Sequence, residues 1–177
     1  ANGAALPTWL SFNATTRTFS GTPDDAQVGS LDLRVVATDT GNLSVSDTFT
    51  LTVTNVNEAP TVVSPLADQS AVEDVAFTFA VPGSTFADVD QMHGDALTYS
   101  ASLAGGESLP AWLSFDPLTH TFSGTPGNTH VGTVALTVAA TDQGNLSAST
   151  DFTLAVQNVN DAPTVAAPIA DQTATED

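Results

Sequence analysis

Apolar side chains fall on every second position in four stretches of the chain. Leu31, Leu33, Val35 and Ala37 form one set, and Phe49, Leu51 and Val53 form another. The same spacing returns at Val134, Leu136, Val138 and Ala140, and at Phe152, Leu154 and Val156. A period of two, rich in β-branched residues and Thr, predicts strands with one buried face. Turn-forming runs separate these stretches: PGS, GGES, DPLT, GTPGN and DQGN. No segment carries an apolar stripe at helical spacing. Between Pro60 and Pro163 the pattern predicts seven strands, near 61–66, 75–82, 96–103, 110–115, 119–123, 131–141 and 149–157. Several short antiparallel strands in a unit of this length predict an all-β fold, an immunoglobulin-type β-sandwich.

The pattern also repeats. Asn55-Val56-Asn57-Glu58-Ala59-Pro60 returns as Asn158-Val159-Asn160-Asp161-Ala162-Pro163, with Pro60 and Pro163 103 residues apart. The same interval carries LPTWLSF onto LPAWLSF, TFSGTP onto its second copy, and ADQSAVED onto ADQTATED. A fixed interval marks an array of units. The expected organisation is residues 1–60 as the later part of one repeat, 61–163 as a complete repeat, and 164–177 as the start of a third. The chain reads as a window on a longer array. Residues 1–60 carry no opening strands, so this part should either borrow strands from another chain or be less stable than the middle repeat.

Composition narrows the function. Twenty acidic residues against two basic ones give a formal charge of −18. Such a chain lacks the Lys and Arg needed for nucleic acid or an anionic membrane surface. No run is apolar enough to insert in a membrane. There is no Cys for disulfides or thiolate metal sites. A Ser-His-Asp elbow, a Gly-rich phosphate loop and a catalytic His neighbourhood are all missing, so a binding or structural role is expected rather than an enzyme. Trp9 and Trp112, beside Leu and Phe, read as core side chains rather than sugar platforms.

The acids are not evenly spread. If each connection reverses the chain, successive loops fall at alternate ends of the sandwich. An odd number of strands then brings the chain out opposite its start. One end gathers Asn55, Asn57 and Glu58 with Asp88, Asp90, Asp95 and Asp142, and Asp25 of the preceding repeat. The same count puts Asp116 at that end. The other end gathers Glu73, Asn128, Asn158, Asn160 and Asp161. Carboxylates about 4 Å apart repel by roughly 1 to 4 kcal/mol, and Arg17 and Arg34 cannot neutralise so many. A set of carboxylates and amide oxygens suits a hard cation, Ca2+ above all. Zinc and copper would want His or Cys, and His93, His120 and His130 show no ligand spacing.

The ordered motifs LPAWLSFDPLTHTFSGTP, VGTVALTVAATDQGN and NVNDAP resemble the cadherin-like repeats of the dystroglycan type found in large bacterial surface proteins. These are related to the putative-Ig repeats of the same organisms. The resemblance implies β-sandwiches joined by calcium-filled junctions. It implies that Glu73 reaches the junction below, that Asp88 and Asp90 form the Asp-x-Asp pair, and that Asp142 ends the sixth strand. NVNDAP departs from the family's DxNDNxP, with Asn158 where Asp is usual and one residue fewer. Asp25 and Asn128 also stand near a motif that is usually more acidic. Fewer carboxylates imply fewer or weaker ions. The expected role is a calcium-stiffened spacer and adhesion module in an extracellular bacterial protein. Its expected partners are neighbouring repeats, with calcium-dependent self-association. The alternative is a carbohydrate-binding sandwich whose partner is a polysaccharide.

Overall fold

The computed structural model describes residues 4–177. Thirteen strands are present among them, and no helix beyond short 3₁₀ turns. In the first half, β1 (Leu10–Asn13) and β2 (Thr18–Gly21) form a hairpin, and β3 (Gly29–Thr38) pairs with β4 (Ser44–Val53). The second half adds β5 (Thr61–Val62), β6 (Gln69–Val72), β7 (Phe77–Ala80), β8 (Phe86–Ala87) and β9 (Thr98–Leu103). It then repeats the earlier set as β10 (Leu113–Asp116), β11 (Thr121–Gly124), β12 (Gly132–Thr141) and β13 (Ser147–Gln157). The registers match at the 103-residue interval: Leu10 pairs with Gly21, and Leu113 with Gly124.

The fold is an all-β sandwich of immunoglobulin and cadherin type. One sheet runs β10-β11-β7 and the other β6-β13-β12-β9. Phe122 and Phe79 of the first sheet meet Phe152 of the second, with ring centroids 5.6 and 5.5 Å apart. Phe122, Leu136, Val138 and Leu154 are fully enclosed. The alternation legible in the sequence explains why: each lies on the inward face of its strand. Gly124 is required beside this core, because a Cβ there would collide with the Trp112 carbonyl.

Two features differ from the sequence expectation. The strand expected at 61–66 shrinks to β5, which pairs antiparallel with β8, and an unexpected strand, β6, follows it and pairs in parallel with β13. Pro65 lies in the break and has no N–H for a ladder. The expected Asp-x-Asp loop is a 3₁₀ turn, Val89–His93, following the short β8.

By compactness the chain divides into two units. The first takes the stretch ending at Ser64, with Gly83–Tyr99 and Ala139–Ser149. The second takes Pro65–Pro82, Ser100–Val138 and Thr150–Asp177. In the first unit Phe12, Phe19 and Phe49 repeat the cluster of Phe115, Phe122 and Phe152. The packing is looser there: Phe49 is 43% exposed, against 4% for Phe152.

Candidate functional site

The first unit contains the candidate cation site. Asp88 caps the 3₁₀ turn, its Oδ1 accepting the Asp90 N–H at 2.9 Å. Capping is the ordinary work of Asp at such a position. Its Oδ2 is enclosed and has no hydrogen-bond partner. Asp95, just after the turn, accepts from the Ala96 N–H at 2.7 Å and the Gln143 N–H at 3.0 Å, both through Oδ1. Its Oδ2 is likewise enclosed without a partner. Asp142, 4% exposed at the end of β12, holds the following turn by accepting the Leu146 N–H at 2.7 Å. One carboxylate oxygen from each of Asp88, Asp95 and Asp142 lies within 4.8 Å of the others. Enclosed carboxylate oxygens without donors are costly, because burial removes the water that would solvate them.

The linker lies against this group. Asn57 Nδ2 donates to Asp142 Oδ2 at 2.9 Å. Gly144 lets it approach, since a Cβ there would stand 2.8 Å from the Asn57 Cγ. Asp90 is 1% exposed and accepts Asn55 Nδ2 at 2.8 Å and the Glu58 N–H at 2.7 Å. The Glu58 backbone bond, then the Asn55 amide, hold the Asp90 carboxyl below its ordinary value of 3.8. Glu58 moves the other way, above 4.5: loss of hydration comes first, then repulsion from Asp25, Asp90 and Asp88.

Asp25 therefore acts on this group through its charge. Its backbone carbonyl meets His93 Nε2 at 3.0 Å, and since a carbonyl only accepts, that nitrogen is the donor. Sequence reasoning missed this tie, which joins residues 68 positions apart. His130 accepts the Gly127 N–H and stacks on the half-buried Trp112, a structural use of both rings.

The second unit holds the other predicted residues. Glu73 is 1% exposed. Its Oε1 accepts the Val159 N–H, and its Oε2 is enclosed without a partner. Asn128 donates to Asp161 Oδ2 at 2.6 Å, and Asn160 to the Asp161 carbonyl at 3.4 Å. Asn158 is exposed. Asp116, expected with the first linker, belongs to this unit and is engaged by its own hairpin turn, accepting from Leu118 and Thr119.

The donor set fits a hard cation. It offers carboxylate and amide oxygens, without thiolate or imidazole, and two of its oxygens are enclosed with no donor to satisfy them.

Comparison with known proteins adds three findings. The sequence profile of the family described as Putative Ig domain matches residues 1–54 and 59–157. "Serine-rich adhesin for platelets" from Staphylococcus aureus (strain MRSA252) is 33% identical over 147 residues, covering 83% of this chain. The chain spans only 10% of that relative's length. Among solved structures, mouse Cadherin-23 EC22-24 aligns with a TM-score of 0.60 at 20% identity, over 85% of this chain and 50% of that one. Protocadherin gammaB7 EC3-6 aligns at 0.61 and 20%, over 86% and 39%. Both share the fold. No helix among the described residues is long and apolar enough to cross a membrane.

Proposed function

The chain belongs to the Putative Ig domain family, and from that premise we propose that it is a calcium-stiffened stretch of an extracellular bacterial adhesin. Its repeats run 1–60, 61–163 and 164–177, and its immediate partners are the neighbouring repeats. The observation that carries this reading is the pair of enclosed, partnerless oxygens on Asp88 and Asp95, beside Asp142. Asp88, Asp95 and Asp142 would hold the ion. Asp90, Glu58, Asn55 and Asn57 stand around them as further oxygen donors, and Asp25 adds charge. Glu73, Asn128, Asn158, Asn160 and Asp161 would form a second, weaker site.

Calcium would supply positive charge where the chain has gathered only negative charge. The protein's own residues do the rest. Asn55 and Asn57 hold the linker on the carboxylates, and His93 fastens Asp25 to the same unit. With the repulsion cancelled, the linker has fewer conformations to explore, and the reach of the array is fixed. The resemblance to cadherin-like repeats and the kinship with a staphylococcal adhesin both support this role.

Calorimetric titration of chelator-stripped protein tests it. Calcium should bind with heat and raise the melting temperature, and magnesium at equal concentration should do so less. Flat titrations at millimolar calcium, with an unchanged melting temperature, would overturn the reading.

A further inference from the structure

We infer that the linker is fastened to the turns beside it by hydrogen bonds that need no cation, with Asp90 as the anchor and Gly144 as the gap that admits Asn57. This concerns the same site as the calcium reading and goes beyond it, because it stands on donors that the chain itself supplies. All the residues involved lie in the first compact unit.

The four buried or half-buried acids of the site are of two kinds. Asp88 and Asp95 each have one oxygen engaged by backbone N–H groups and one enclosed without a donor. Asp90 and Asp142 have both oxygens engaged. Asp90 takes Asn55 Nδ2 on Oδ1 at 2.8 Å and the Glu58 N–H on Oδ2 at 2.7 Å. Asp142 takes the Leu146 N–H on Oδ1 at 2.7 Å and Asn57 Nδ2 on Oδ2 at 2.9 Å. Three of these four donors belong to the linker. A carboxylate only accepts, so each amide must face it with its nitrogen. Bonds to a charged acceptor are also stronger than neutral ones.

Asp90 is 1% exposed, and it is not one of the three acids whose oxygens converge. The resemblance pairs it with Asp88, and the geometry separates the two. Asp88 keeps an oxygen for an ion, whereas Asp90 commits both to the linker.

Gly144 sets the approach of Asn57. A Cβ there would stand 2.5 Å from Asn57 Nδ2 and 2.8 Å from its Cγ. At the equivalent Gly41 a Cβ would first meet Asp39 of its own turn, at 3.3 Å. A further tie, from His93 Nε2 to the Asp25 carbonyl at 3.0 Å, likewise needs no ion. The hydrogen bonds thus set the course of the linker, and a cation adds strength to it.

Amide hydrogen exchange of the full chain, followed by NMR in chelator, tests this. The Glu58 N–H should exchange about ten- to a hundredfold more slowly than an unstructured amide, as a bond to a charged acceptor implies. Asp90→Ala should remove that protection. Gly144→Ala keeps every carboxylate, and should return the Asn57 side-chain NH2 signals to those of a free amide. Gly41→Ala, the same change in the matching turn, should leave them in place. Protection of Glu58 that appears only with calcium overturns the inference and leaves the calcium reading standing. Protection in chelator with a flat calcium titration does the reverse. Unchanged Glu58 protection in a folded Asp90→Ala, or unmoved Asn57 signals in Gly144→Ala, also overturns it. Should Asp90→Ala fail to fold, Gly144→Ala decides alone.

Discussion

Replacing Asp95 by Asn should have opposite effects with and without calcium. The three carboxylate oxygens of Asp88, Asp95 and Asp142 lie within 4.8 Å of one another. Unit charges at that distance repel by about 0.9 kcal/mol in water and roughly 3.5 kcal/mol at a protein-surface dielectric. Asp95→Asn removes two of the three pairs. It keeps the Oδ1 acceptor that Ala96 and Gln143 use, and it puts an amide donor where the enclosed Oδ2 has no partner. Taking the weaker, water-like figure, the calcium-free variant gains about 2 kcal/mol. For a chain of this length that is a rise of about 4 to 8 °C in melting temperature. In calcium the order should invert. At a hundredfold excess over the dissociation constant, wild type gains about 2.7 kcal/mol, or roughly 5 to 11 °C. The variant, short of one ligand, should lose most of that gain. Differential scanning calorimetry in chelator and in about 10 mM calcium, suited to a dissociation constant near 10⁻⁴ M, reads both. A variant that melts below wild type in chelator, yet keeps the full calcium shift, would refute the reasoning.

Three further outcomes follow from other parts of the fold. Glu73→Ala should cost about 1 to 3 kcal/mol in urea denaturation by stranding the Val159 N–H, whereas Glu73→Gln, which keeps the acceptor, should cost little. Phe122→Ala should cost about 3 to 5 kcal/mol, and Phe19→Ala distinctly less, because Phe122 is fully enclosed while the equivalent Phe19 is half-buried; equal losses would contradict the looser packing of the first half. The Leu118 N–H, then the Thr119 contact, hold the Asp116 carboxyl below its ordinary 3.8. As a depressed acid it adds stability above pH 3.8 that is lost as pH falls through its lower folded value. Carboxyl-detected NMR titration of wild type, and a flatter acid limb of the melting curve in Asp116→Asn, check the sign.

The strands and their inward faces were legible because a period of two is a local property. Leu136, Val138 and Leu154 could be placed in the core from their spacing alone. The acid positions Asp88, Asp90 and Asp142 were legible because they sit in turns of recognisable chemistry. Asp95 was placed at the same end by the count of loops, but its anchoring was not legible, since it depends on a backbone N–H of Gln143, 48 residues away. The division of β5 from β6 escaped for a similar reason. Pro65 announces a break, but which neighbour each piece will join is decided by the sheets around it.

The parallel pairing of β6 with β13 bears on how the molecule would carry load. A pull between the start of β6 and the end of β13 runs along both strands in opposite senses. Every bond of that ladder, Gln69–Val72 against Leu154–Gln157, is then strained at once instead of opening one after another like a zip. In the adhesin role proposed above, tearing would be resisted at this ladder by four residue pairs acting together.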